Sequence, residues 1–286
     1  MWTIAKLTII EIFYKRIFLV ILLMSLAFLV FYGLGIHFLE GKMAPATGNG
    51  TNAVLEKGFL STQFYGMGLY FASFITSLLA IFSSVGSISR EIESRQIDPW
   101  LSRALARSSF VFGRFVGLNL LLVSYSIFLF LGVTAINQWV GDQLKADVSM
   151  FQLAQALGLF ILQPVILVAV SLFFSARIST LNSGIMMIML YVIGMFGGFI
   201  EQFGAMTQVK VMVNIGIITS LIFPIDSLFR KMTIYLFDAA DNPISLATQG
   251  IFGSVSIPSD IMMVYACLYG MIAVWLAIRS FSKRDF

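Results

Sequence analysis

Six stretches of this chain, residues 17–38, 64–89, 110–136, 151–174, 183–200 and 261–278, are apolar for nearly their whole length. A bilayer's hydrocarbon core takes about 20 such residues as a helix. Inside that core every backbone N–H and C=O must be satisfied within the protein. Continuous apolar runs, as opposed to short alternating ones, therefore fold there as helices. Hydrophobic residues make up 59% of the 286 positions, charged residues 11%, and mean hydropathy is +0.93. Soluble domains run nearer half apolar and a quarter charged. The expected fold is an all-α integral membrane protein, a single six-span transmembrane domain over residues 1–286.

The connections carry the sidedness. With both termini inside, the inner segments hold Lys6, Lys15, Arg16, Arg90, Arg95, Arg103, Arg107, Arg114, Arg177, Arg279, Lys283 and Arg284. The outer ones hold only Lys42, Lys57, Lys145, Lys210, Arg230 and Lys231. This asymmetry predicts a multi-pass protein of the cell's inner (plasma) membrane with both ends in the cytoplasm. Residues 1–16 lack the order of a signal peptide. Thr8, Glu11 and Lys15 form one polar stripe with Trp2, Ile9 and Phe13 opposite, which predicts an interfacial helix or else simply the start of the first span.

Within the spans, Ser73, Ser77, Ala80 and Ser84 recur at three- and four-residue steps. Such a stripe either lets two helices approach closely or borders a translocation path. The fifth run is rich in methionine, Met187 among them, with Tyr191, Gly194 and Gly198 on one face. That combination suits a dimer seam or a path for bulky apolar cargo. The third run, at ~40 Å, exceeds a ~30 Å core and predicts tilt or projection. Pro164 predicts a kink in the fourth. Residues 175–182 form a short inner turn, either a plain hairpin or a second contact for a partner.

Within residues 201–258, the run from Val209 to Phe229 is apolar but interrupted by Asn214, Gly216, Pro224 and Asp226. A seventh span there would put Arg279, Lys283 and Arg284 outside, so the reading is a re-entrant or interfacial segment on the outer side.

The densest run of charge is residues 90–117, whose first part, 90–108, reads as a cytoplasmic coupling segment. Glu91 and Arg95 stand four apart, the spacing of a helical ion pair. Asp98 followed by Pro99 has the form of an N-cap and first helical residue. Trp100, Leu101 and Leu105 would give that short helix an apolar side, and Ser108 or Ser109 would cap the next span. A loop whose arginines only fix topology explains the charges but not an apolar face among them. A short cytoplasmic coupling helix that docks a partner explains both.

This segment resembles the first cytoplasmic loop of the type-two exporter permeases of ABC transporters. Glu91 and Glu93 match its acidic part, residues 102–107 its serine- and arginine-bearing turn, and Gly113 with Arg114 the Gly-basic pair opening the third span. Ala104 stands where that family usually has proline. The run LIFPIDSLFR, residues 221–230, is similar to the proline-bearing stretch that such permeases carry before their last span. The resemblance implies a permease subunit of an ATP-driven exporter, paired with itself or a similar permease and with a separate ATPase subunit that binds ATP and Mg. It implies an ATPase contact at Glu91, Glu93, Arg95, Trp100, Leu101, Arg103, Leu105 and Arg107.

Several classes are disfavoured. No GxxxxGK[ST] phosphate loop occurs, so ATP hydrolysis would belong to another chain. One histidine, His37, and one cysteine, Cys267, supply neither a metal cluster nor a haem pair. The spans hold almost no ionisable residue away from their ends, unlike proton- or ion-driven carriers. A formal charge of +4 divided between loops does not point to nucleic acid. The rival class is a membrane anchor or assembly scaffold that uses the same segment to hold a soluble partner.

Overall fold

A computed structural model of the chain describes residues 2–42, 51–94, 107–141, 144–237 and 256–283. Among the described residues the regular elements are all helices: α1 (Trp2–Tyr14), α2 (Arg16–Lys42), α3 (Thr51–Ser84), α4 (Ser89–Glu93), α5 (Arg107–Val140), α6 (Met150–Arg177), α7 (Thr180–Met206), α8 (Lys210–Ile222), α9 (Ile225–Phe237) and α10 (Asp260–Ser282). Six helical stretches, in α2, α3 with α4, α5, α6, α7 and α10, are long and apolar enough to cross a membrane. They coincide with the six apolar runs but extend past them. Hydropathy marks only the stretch that lipid tolerates, whereas backbone hydrogen bonding continues to the caps. The 34 residues of α5 rise ~51 Å, well beyond a ~30 Å core.

The long helices run up and down, so their ends collect at two levels. The end bearing α4, the start of α5 and the end of α10 is termed basal here, the other distal. In α3, 67% of the span is buried inside the protein, against 17% in α2. The centre is thus α3, α5 and α6, and α2 is left to lipid. Phe130 and Phe160 meet with ring centroids 5.4 Å apart between α5 and α6. Tyr65 and Thr134 share a hydrogen bond of 2.9 Å between α3 and α5. Ser149 caps α6 in a reciprocal box with Gln152, and α6 then runs unbroken through Pro164.

The polar stripe of α1 does not face water. Thr8 is buried, and the helix lies against α5. Gly117 permits this, since a Cβ there would stand 2.7 Å from the Ala5 carbonyl oxygen. Trp2, Leu7 and Phe13 are left exposed on the outer face. Thr8 thus packs inward beside Ile4, Ala5 and Ile12 while the large apolar side chains point away, a sense that suits lipid contact better than contact with water.

Distally, α7 ends in a Schellman turn. Gln208 adopts φ 58°, and Val209 N–H donates to the Gly204 carbonyl at 2.9 Å. The chain then doubles back as α8 along α7. Pro224 holds the preceding Phe223 extended (φ −146°, ψ 96°), and α9 leaves at 107° to α8. The turn reaches Gly194, about halfway along α7, and Tyr269 on α10 donates to the Ile222 carbonyl at 3.0 Å. At the far end of α9 the Phe237 ring stacks edge-on at 5.8 Å against Tyr65, near the distal end of α5. The hairpin therefore enters and leaves at the same end of the bundle.

Candidate functional site

The basal junction begins where α3 ends. After Ser84 the chain turns once and re-forms as α4. The Ile88 and Ser89 amides both donate to Ser175 Oγ on α6, at 3.1 and 3.0 Å. Ser89 Oγ and Thr180 Oγ1 lie 2.8 Å apart. The first amides of any helix lack intrahelical acceptors, and Ser179 makes no side-chain cap for α7. Glu93 supplies one from across the junction. Its carboxylate accepts from Thr180 N–H at 2.8 Å and from Thr180 Oγ1 at 3.0 Å. A negative group at this position also complements the positive end of the helix dipole.

Glu91 turns the other way, into the bundle. It pairs with Arg114 on α5, which also pairs with Glu11 on α1. Lys15 closes the chain of charges on Glu11 at 3.0 Å. The Arg114 guanidinium is nearly buried and sits 5.6 Å from the Phe110 ring centroid. Burial pushes the Glu11 carboxyl up, but Arg114 and Lys15 outweigh it and hold the group below its ordinary value. Glu91 lies on the face of α4 turned to α5, and its expected partner at the four-residue spacing, Arg95, falls outside the described residues. Arg95, Trp100, Leu101, Arg103 and Leu105 lie outside the described residues.

Arg107, the first residue of α5, donates to the Ser282 carbonyl at 3.2 Å. Arg177 donates to Ser280 Oγ at 3.0 Å, and Phe110 stacks on Phe281 at 5.5 Å. Both flanks of residues 95–106 are thus fastened to the body, one through α4 to α5, α6 and α7, the other through α5 to α10.

The mid-bundle candidates also converge. Ser73 Oγ donates to Gln163 Oε1 at 2.6 Å, and Ser77, Ala80 and Ser84 are buried, as close helix packing requires. Met187 is buried, and Tyr191 lies beside Ser77 with its ring 6.2 Å from Phe74. Between them is a space of about 20 Å³, bordered by Ser73, Gln163, Tyr191 and Asp226, which admits about one water. Gly194 and Gly198 face the chain's own hairpin, Gly194 against Phe223 and Gly198 against the Asp226 carboxylate. That face is occupied within the chain and unavailable to a second copy.

A second ionic cluster was not anticipated. Arg230 on α9 grips Glu201 with two bonds of 2.7 and 2.8 Å and takes Asp226 at 2.9 Å. Ser256 Oγ adds a 2.6 Å bond to Glu201, and Lys231 pairs with Asp260 at 2.7 Å. Glu201 and Arg230 are almost wholly buried, where an unpaired charge would be severely penalised. The Asp226/Arg230 spacing of four was a legible signal, and Glu201 was not. Among the described residues, no three His, Cys, Asp or Glu side chains converge as a metal site. What the basal junction offers is mechanical linkage between helices. No family model and no curated protein matches the chain.

Proposed function

We propose that the chain is the membrane permease subunit of an ATP-driven ABC-type exporter, working as a dimer with a separate ATPase subunit that binds ATP and Mg. The observation that carries this reading is the fastening of residues 95–106 on both flanks. A docking segment that only held a partner would need one tether. A segment that transmits a push needs rigid links into several helices. Here Glu91 leads to α5 and α1 through Arg114, and Glu93 leads to α7 through Thr180.

In this reading the partner ATPase seats on residues 95–106 and its closure drives α4 against the basal ends of α5 and α7. α7 carries the α8–α9 hairpin on its glycine face, so displacement at the basal end reaches the distal side of the bundle. The hairpin is re-entrant on the outer side, and the basal end, with its excess of arginine, is cytoplasmic. The exposed outer face of α7, with Met186, Met189 and Phe196, is the seam offered to the second permease.

The test has two arms. A reporter fused after Phe286 should be active only in the cytoplasm. The purified chain should hydrolyse no ATP alone but should co-purify with an ATPase encoded beside its gene. An external reporter, hydrolysis by the chain alone, or stable capture only of a partner lacking a phosphate loop would overturn the proposal.

A further inference from the structure

We infer that the basal end holds a site for an anionic phospholipid, a reading independent of any ATPase partner. A cavity of about 450 Å³ opens between the start of α2, the end of α3 and the start of α7. That volume lies within the usual range for small-molecule sites. Its wall is hydrocarbon from Ile17, Ile81, Phe82, Val85 and Ile188, and its rim carries Lys15, Arg16 and Arg90. Of the three acids in the junction, Glu11 is paired with Lys15 and Arg114, Glu91 with Arg114, and Glu93 is bonded to Thr180. Among the described residues, Arg16 and Arg90 form no ion pair with an acid.

Three features select the ligand. Two arginines not neutralised by described acids call for a negative group. The apolar wall would stay wet under a small inorganic anion, so the ligand needs hydrocarbon as well. Ile17, Phe82 and Ile188 are all exposed at the mouth, on the side where α2 is left to lipid, so the ligand arrives from the bilayer. An anionic glycerophospholipid satisfies all three, its phosphate between Arg16 and Arg90 and one acyl chain along Phe82 and Ile188. Room for it comes partly from Gly86 and Gly184, which line the cavity without side chains. A Cβ on Gly184 would touch only Val85, at an ordinary 3.4 Å, so a larger residue there would project without backbone strain.

The test uses the purified full-length protein in detergent, titrated with dioleoyl-phosphatidylglycerol, dioleoyl-phosphatidylcholine or inorganic phosphate, with binding read by native mass spectrometry and by thermal shift. Phosphatidylglycerol should bind at least tenfold tighter than phosphatidylcholine, and inorganic phosphate should not compete at equal concentration. Arg16→Gln with Arg90→Gln should weaken phosphatidylglycerol about 25-fold, from the usual contribution of each cation near an anionic lipid. Arg279→Gln, a basal cation outside the cavity, should leave it unchanged. Gly184→Leu should block the site with every charge retained, and Arg16→Lys with Arg90→Lys should restore most of the affinity. Equal binding of the two lipids, equal loss in Arg279→Gln, or competition by phosphate alone would overturn the site. If the double glutamine variant does not fold, Gly184→Leu decides: undiminished phosphatidylglycerol binding in that variant refutes the site, and its loss supports it.

Discussion

Replacing Arg114 by methionine keeps most of its apolar stem but removes the guanidinium and strands two carboxylates. Removing one partner of a fully buried pair costs about 3–5 kcal/mol. Here the Glu91 side chain is 16% exposed and Glu11 39%, so both regain some water, and Glu11 keeps Lys15. The expected loss is therefore nearer 2–3 kcal/mol. Adding Glu91→Gln to Arg114→Met removes one stranded charge. The double variant should then be more stable than the sum of the singles predicts, by about 1.5 kcal/mol. The assay is reversible unfolding in mixed micelles across all four members of the cycle. A parallel cycle of Glu91→Gln with Arg95→Met should show little coupling, because Arg114 holds the Glu91 carboxylate. Additivity within about 0.5 kcal/mol at Glu91 and Arg114 would refute the assignment of Arg114 as the hub of the junction.

Gly117→Leu should lift α1 from α5 at a cost of about 3 kcal/mol, seen as faster proteolysis after Lys6; unchanged protection would contradict the close approach at Ala5. Gln208→Gly should stabilise the protein by about 1 kcal/mol, because the left-handed φ of 58° costs glycine nothing; a measured loss would show that the Gln208 side chain has another role. Glu11 is held below its ordinary carboxyl value in the folded state. Its contribution is therefore present above the unfolded value, about pH 4.5, and disappears as pH falls through the folded value. Wild-type stability should drop over that acid range more steeply than that of Glu11→Gln, and identical pH profiles would exclude the ion pair.

The parts legible in the sequence were those that one physical constraint dictates locally. Lipid demands long apolar helices, so the six spans could be counted, and the serine stripe on α3 packs as small residues do. Pro224 and Asp226 marked the break between α8 and α9 for the same local reason. What escaped depended on partners far apart in the chain. Arg114 and Glu11 are separated by 103 positions, and Glu93 and Thr180 by 87, and no spacing rule brings either pair together. The stripe on α1 was visible, but its inward sense depends on Gly117, whose role appears only once α1 lies across it. Likewise Gly194 and Gly198 advertised a close approach without naming the approaching segment, which is the chain's own hairpin.

Residues 95–106 are the point at which the whole account can be tested. A photo-crosslinking residue in place of Trp100, compared with one in place of the exposed distal Phe38, would be irradiated in native membranes and the adducts sequenced. The account predicts that position 100 captures a polypeptide carrying a GxxxxGK[ST] phosphate loop and position 38 does not. It further predicts that Trp100→Ala lowers ATP hydrolysis by the purified pair, at the cost of about 2 kcal/mol in binding expected for an aromatic anchor. Capture at position 100 only of a partner without a phosphate loop, or wild-type assembly and hydrolysis with Trp100→Ala, would contradict the claim that this segment couples the membrane helices to an ATPase.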